Sequence, residues 1–88
     1  MIEKKVKIVN TLGLHARPAS LFAKTAEKFV SDITVEKDGM EVNGKSILGL
    51  MMLVADRNST LTIRANGPDE KEAVEALAKL VEEGFGED

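Results

Sequence analysis

The spacing of apolar residues switches repeatedly along this chain between two and about 3.6, and that switching leaves few folds open. Over residues 2–9, Ile2, Lys4, Val6 and Ile8 share one side of a pleat, and Glu3, Lys5 and Lys7 take the other. With Val6 and Ile8 inward, this predicts a half-buried strand. Asn10-Thr11-Leu12-Gly13 breaks it. Ala19, Phe22, Ala23, Ala26, Phe29 and Val30 then recur at three- and four-residue steps, the stripe of an amphipathic helix, with Leu21 off the stripe. Residues 32–37 alternate again, with Ile33 and Val35 inward. Asp38-Gly39 is a hairpin signal, and residues 40–43 are the returning strand. Asn43-Gly44 makes a second turn, and Ser46 precedes an apolar segment, Ile47–Val54, of about two helical turns. Residues 60–66 form a last strand, with Leu61, Ile63 and Ala65 on one face. Gly67-Pro68-Asp69-Glu70 reads as a helix start with proline near the first position. Ala73, Val74, Leu77, Leu80 and Val81 line that helix, and Gly84 ends it. The order is βαββαβα. Each strand alternates and so buries one face, which three helices can cover. The pattern predicts a two-layer α+β fold with a mainly antiparallel sheet.

Size and composition narrow the function. Eighty-eight residues make one domain, 1–88, with room for one core but not for a deep substrate cavity. An ordinary enzyme is therefore disfavoured. The absence of cysteine excludes disulfides, thiolate metal sites and thiol catalysis. A net charge of −3, with no Trp or Tyr, argues against nucleic-acid binding. No apolar run approaches the length of a membrane span, and Met1-Ile2-Glu3-Lys4-Lys5 has no signal-peptide core. The expectation is a cytoplasmic protein without membrane insertion, and a monomer.

The one histidine, His15, stands in Gly13-Leu14-His15-Ala16-Arg17-Pro18-Ala19. A lone histidine is ordinarily a surface or hydrogen-bonded structural residue. Three features favour chemistry here. His15 sits where a glycine-containing loop enters a helix, a surface position of the kind that carries function. The free N–H groups and positive end of that helix favour an anion. Arg17, two residues on, can clamp phosphate oxygens. The same field disfavours an imidazolium, and a neutral ring nitrogen is a nucleophile. A phosphoryl group on that ring would lie beside the helix donors and Arg17. Pro18 lacks an N–H where none is needed, but it biases Arg17 away from regular helix geometry. No second histidine or cysteine offers triad chemistry, and one histidine without carboxylates at ligand spacing makes no metal site. No cofactor is expected. Simple anion binding at the helix end stays open.

The second constellation is Lys45-Ser46-Ile47-Leu48-Gly49-Leu50-Met51-Met52-Leu53. Ser46 reads as an N-cap. The helix after it is apolar nearly all round. Ile47, Leu50, Leu53 and Val54 lie near one face, with Leu48, Met51 and Met52 on another. A short helix cannot bury both against one sheet. Either loops cover the remainder, or it is a docking patch, for which methionine suits varied partners.

These two motifs resemble the two signatures of the HPr family, the histidine-containing phosphocarriers of the bacterial phosphoenolpyruvate:sugar phosphotransferase system. The resemblance covers essentially the whole chain. It implies an open-faced β-sandwich, a four-stranded antiparallel sheet with three helices on one face. It implies a phosphocarrier rather than an enzyme. His15 would accept a phosphoryl group on Nδ1 from phosphorylated enzyme I and pass it to the IIA domains of sugar permeases. Arg17 would stabilise the phosphohistidine, with the backbone N–H groups of Ala16 and Arg17 as helix-end donors. Ile47, Leu48 and Met51 correspond to the docking patch, with Ser20, Leu21 and Lys24 on its rim. Ser46 matches the regulatory site of the Gram-positive type, modified by HPr kinase/phosphorylase, after which a catabolite-control repressor can bind. Gly84-Phe85-Gly86-Glu87 fits that type as well. Two positions depart from the pattern: Leu12 stands where some relatives have a short polar residue, and Ser20 where Ala is common. Relatives that serve only in regulation lack the active histidine. The alternative reading is a regulatory module acting mainly through phosphorylated Ser46.

Overall fold

A computed structural model describes residues 1–87. Four strands and three helices follow the order read from the sequence. They are β1 (Ile2–Lys7), α1 (Ala16–Ala26), β2 (Asp32–Lys37), β3 (Met40–Asn43), α2 (Ile47–Met52), β4 (Thr60–Asn66) and α3 (Glu70–Glu82). The sheet order is β1-β4-β2-β3, and every neighbouring pair is antiparallel. β1 and β2 are thus parallel to each other with β4 between them, and β3 and β4 are parallel with β2 between them. The helical connections α1 and α2 span these gaps, so the helices lie over one face of the sheet.

The register puts the inward residues of adjacent strands side by side. Val6 faces Leu61, Val35 faces Ile63, Ile33 faces Ala65 and Val35 faces Val42. These residues, half-buried Val42 apart, join Phe22, Ala23 and Ala26 of α1, Leu50 of α2, and Val74, Leu77 and Val81 of α3 in one buried cluster. The opposite face carries charge. Arg64 at its centre pairs with Glu3 at 2.9 Å, Glu36 at 2.7 Å and Glu41 at 3.0 Å, and the hydrogen bonds it donates to Glu3 and Glu36 hold the guanidinium firmly protonated. Lysines at 4, 5 and 7 on edge strand β1 discourage edge-to-edge pairing.

Several sequence expectations need correction. β1 ends at Lys7, although Ile8 stays buried and exchanges backbone hydrogen bonds with Asn58 and Ser59. Helix α1 ends at Ala26, so Phe29 and Val30 are not on its stripe. Phe29 packs partly on the core, but Val30 is 73% exposed. Pro68 lies outside α3, whose N-cap is Asp69. That carboxylate caps a distant turn instead, accepting hydrogen bonds from the Val30 and Ser31 N–H groups and the Ser31 hydroxyl. Glu70 reaches back to accept from the Gly67 N–H at 3.0 Å. Of the face read as Ile47, Leu50, Leu53 and Val54, Leu50 and Leu53 are buried, but Ile47 and Val54 are exposed, and α2 ends at Met52.

Candidate functional site

His15 is the N-cap residue of α1, with extended backbone (φ −79°, ψ −172°). Gly13 puts it there. Gly13 has φ +67°, and a Cβ on it would stand 2.3 Å from the Ala55 carbonyl oxygen. The next residue, Leu14, donates its N–H to that same oxygen at 2.8 Å, which pins the loop to the segment after α2. Leu14 itself is buried. The chain is thus anchored one residue before His15, and the imidazole stands half-buried at the helix mouth.

The helix begins without the irregularity expected from Pro18. Arg17 lies within it, and the Ala19 N–H donates to the His15 carbonyl at 2.9 Å. Proline at the third helical position needs no donor, so its constraint is absorbed. Among the described residues the backbone N–H groups of Ala16 and Arg17 have no acceptor. They are unpaired donors in the first turn of the helix that His15 caps, an arrangement that suits an anion. Arg17 is exposed and joins no ion pair among the described residues.

The ring's own partner went unread in the sequence. His15 Nε2 lies 2.8 Å from Glu87 Oε1. The same oxygen accepts a hydrogen bond from Asn10 Nδ2 at 2.8 Å, and Asn10 Nδ2 also donates to the Gly13 carbonyl at 2.7 Å. Asn10 is fully buried, and its Oδ1 has no partner among the described residues. Both neighbours of Nδ2 are acceptors, so the amide cannot be turned the other way without losing both bonds. Glu87 is brought over the ring by a tight left-handed turn, with φ +67° at Gly84, +58° at Phe85 and +75° at Gly86. A phenylalanine at positive φ costs on the order of 1–3 kcal/mol. Burial of its ring, 7% exposed, offsets a strain of that size. No local pattern signals a contact spanning 72 positions.

Ser46 caps α2, its Oγ accepting from the Gly49 N–H at 3.0 Å. Lys45 is engaged elsewhere, donating to the Phe29 carbonyl at 2.8 Å. In α2, Leu50 is buried, while Ile47, Leu48, Met51 and Met52 are exposed. Loops therefore do not cover the second face. Leu48 is the most exposed of these, at 76%. Leu21 and Lys24 are exposed on α1 and Ser20 is half-buried. A shallow hollow beside the ring is lined by Leu12, Leu14, His15, Met51, Val54, Ala55 and Asp56. It links the histidine to α2 and adds Leu12 and Val54, 69% exposed each, to the apolar rim. Val54 has φ +48°, an unusual conformation for a β-branched residue. Among the described residues no three potential ligands gather for a metal ion, and no helix is long and apolar enough to cross a membrane.

Residues 2–83 match the family model described as "PTS HPr component phosphorylation site". The chain belongs to the HPr family. It is 50% identical over 82 residues to the HPr-like protein Crh of Halalkalibacterium halodurans, covering 93% of this chain and 98% of that one. It is 45% identical over 87 residues to the phosphocarrier protein HPr of Neisseria meningitidis serogroup A, covering 99% and 98%. The crystal structure of HPr-C-His from Thermoanaerobacter tengcongensis superposes with a TM-score of 0.96 at 50% identity, covering 100% of this chain and 99% of that one. A structure of an HPr dimer from the same organism superposes at 0.79, also at 50% identity, covering 99% and 100%. The HPr fold expected from the two motifs is therefore the fold observed, and both phosphocarriers and Crh-type proteins stand among the relatives.

Proposed function

We propose that this chain, as one HPr-like domain over residues 1–88, is a cytoplasmic phosphocarrier of the phosphoenolpyruvate:sugar phosphotransferase system. His15 accepts a phosphoryl group from phosphorylated enzyme I and hands it to IIA domains of sugar permeases. The observation that carries this reading is the imidazole at the mouth of α1, followed in the chain by two backbone N–H groups that have no acceptor among the described residues. A phosphoryl group on the ring adds negative charge where those donors, the helix dipole and Arg17 favour it. The protein is then a substrate in a relay, not an enzyme, and needs no cofactor or metal. The apolar rim of Ile47, Leu48 and Met51, flanked by Ser20, Leu21 and Lys24, offers a partner a desolvated contact next to the transferred group. We take the working form to be a monomer. Light scattering at micromolar concentration checks this, and a stable dimer would contradict it.

Incubating the His15→Ala variant with enzyme I and labelled phosphoenolpyruvate tests the assignment. The variant keeps its fold and takes up no label; uptake would overturn the reading.

A regulatory role for Ser46 is the second reading, favoured by the Crh relative and by the position of Ser46 beside the apolar rim. A phosphate there keeps an acceptor for the Gly49 N–H and adds about two negative charges. Those charges disfavour an acidic partner surface and favour a basic one. HPr kinase/phosphorylase and a catabolite-control repressor are the corresponding partners. Were regulation the main role, His15 would be dispensable, and complex formation would require seryl phosphate.

A further inference from the structure

We propose that Glu87 is a positioning residue for phosphoryl transfer, holding the His15 ring with Nε2 protonated and Nδ1 free to attack. The inference rests on the carrier reading of His15 and adds to it a part for the segment after α3.

A carboxylate can only accept a hydrogen bond, so at 2.8 Å from Glu87 Oε1 the His15 Nε2 carries the proton. In the neutral ring the lone pair is then on Nδ1. Glu87 is itself held. Asn10, fully buried, donates to the same Oε1 and ties it to the Gly13 carbonyl of the loop that leads into His15. Buried Phe85 anchors the left-handed turn that delivers the carboxylate. Loop, ring and turn are thereby fixed to one another through one oxygen.

Transfer makes this contact stronger. The Nδ1 lone pair forms a bond to phosphorus as the donor's own bond to phosphorus breaks, and that electron pair returns to the donor. The Nε2 proton stays on the ring, so the imidazole acquires positive charge as the new bond forms. Glu87 faces the N–H that shares this charge. A carboxylate that fixes a histidine tautomer and stabilises the cationic ring is a known catalytic arrangement. Here the pair is partly open to solvent, His15 34% and Glu87 24% exposed, so the effect is smaller than in a sealed site.

The test pairs nitrogen NMR of the single histidine with the rate of phosphoryl uptake from phosphorylated enzyme I. In alkaline buffer the wild-type ring shows a protonated Nε2 and an unprotonated Nδ1. Glu87→Ala lets the two nitrogen signals move toward averaged values and slows uptake ~10-fold. Glu87→Gln retains a side-chain oxygen as acceptor without the charge. It keeps the wild-type tautomer and recovers part of the rate. An unchanged ring signal in Glu87→Ala overturns the proposal, as does an uptake rate equal to or above wild type. A faster variant would make Glu87 an obstruction instead of a guide. Should wild type itself take up no phosphoryl group, the carrier reading fails. The ring signals of the two variants still decide whether Glu87 sets the tautomer.

Discussion

At the residue scale, the site depends on backbone positions that other residues cannot fill. Gly13 packs against the Ala55 carbonyl at positive φ, with no room for a Cβ. Gly13→Ala combines strain with a backbone clash, and we expect a loss of at least about 2 kcal/mol in urea unfolding. The His15 loop shifts with it. Val54 is the opposite case. Its φ of +48° strains a β-branched side chain that buries little. Val54→Gly should stabilise the fold by about 1 kcal/mol, the relief of left-handed strain less the backbone entropy of glycine. The same change removes an apolar side chain from the hollow beside His15. Thermal unfolding and enzyme I-dependent uptake on the one variant then report opposite trends. Unchanged stability would show that the left-handed backbone costs nothing there. The sequence marked His15 and Arg17 through a local pattern of glycine loop and helix start, and the family resemblance added Ala16. Asn10 and Glu87 left no such mark, because their contact with His15 depends on folding to bring residues 10, 15 and 87 together.

At the scale of elements, helix ends carry much of the local specification. Ser46→Ala removes the acceptor for the Gly49 N–H and should cost about 1 kcal/mol, read from denaturant midpoints. The start of α3 makes stability depend on acid. Hydrogen bonds from the Ser31 hydroxyl and the Val30 and Ser31 N–H groups hold the Asp69 carboxyl below its usual range, and the Gly67 N–H does so for Glu70. A depressed carboxyl contributes stability above its unfolded value and loses it as pH falls through the folded one. Stability should therefore decline as pH falls below the ordinary carboxyl range. Asp69→Asn should be less stable at neutral pH and show a shallower decline, in urea titrations across that range. An unaltered slope would remove Asp69 from the account. Periodicity made the elements themselves legible, since every strand alternates and the stripes of α1 and α3 face the sheet. Their ends were less so. Phe29 and Val30 continue the spacing of α1, yet the helix stops at Ala26 as the chain turns toward Asp69, a partner 38 positions away from Ser31.

At the scale of the whole molecule, one sheet face is core and the helices that cover it also frame the site. Leu50 shows how the two are joined. It is fully buried, while its α2 neighbours Leu48 and Met51 are exposed. Leu50→Ala should cost roughly 2–5 kcal/mol through lost burial and a residual cavity. Leu48→Ala should barely change stability but weaken partner binding. The apolar composition of α2 already required an unburied face, but not which face. Packing on α1 and β3 decided that, since it takes up Leu50 and turns Leu48 outward. The central claim, that His15 carries a phosphoryl group, is tested most directly by phosphorus NMR after incubation with enzyme I, magnesium and phosphoenolpyruvate. With one histidine in the chain, a phosphohistidine signal needs no further site assignment. The account predicts a single acid-labile signal from phosphorus bonded to nitrogen. No signal, while a control HPr is labelled in the same assay, would contradict it.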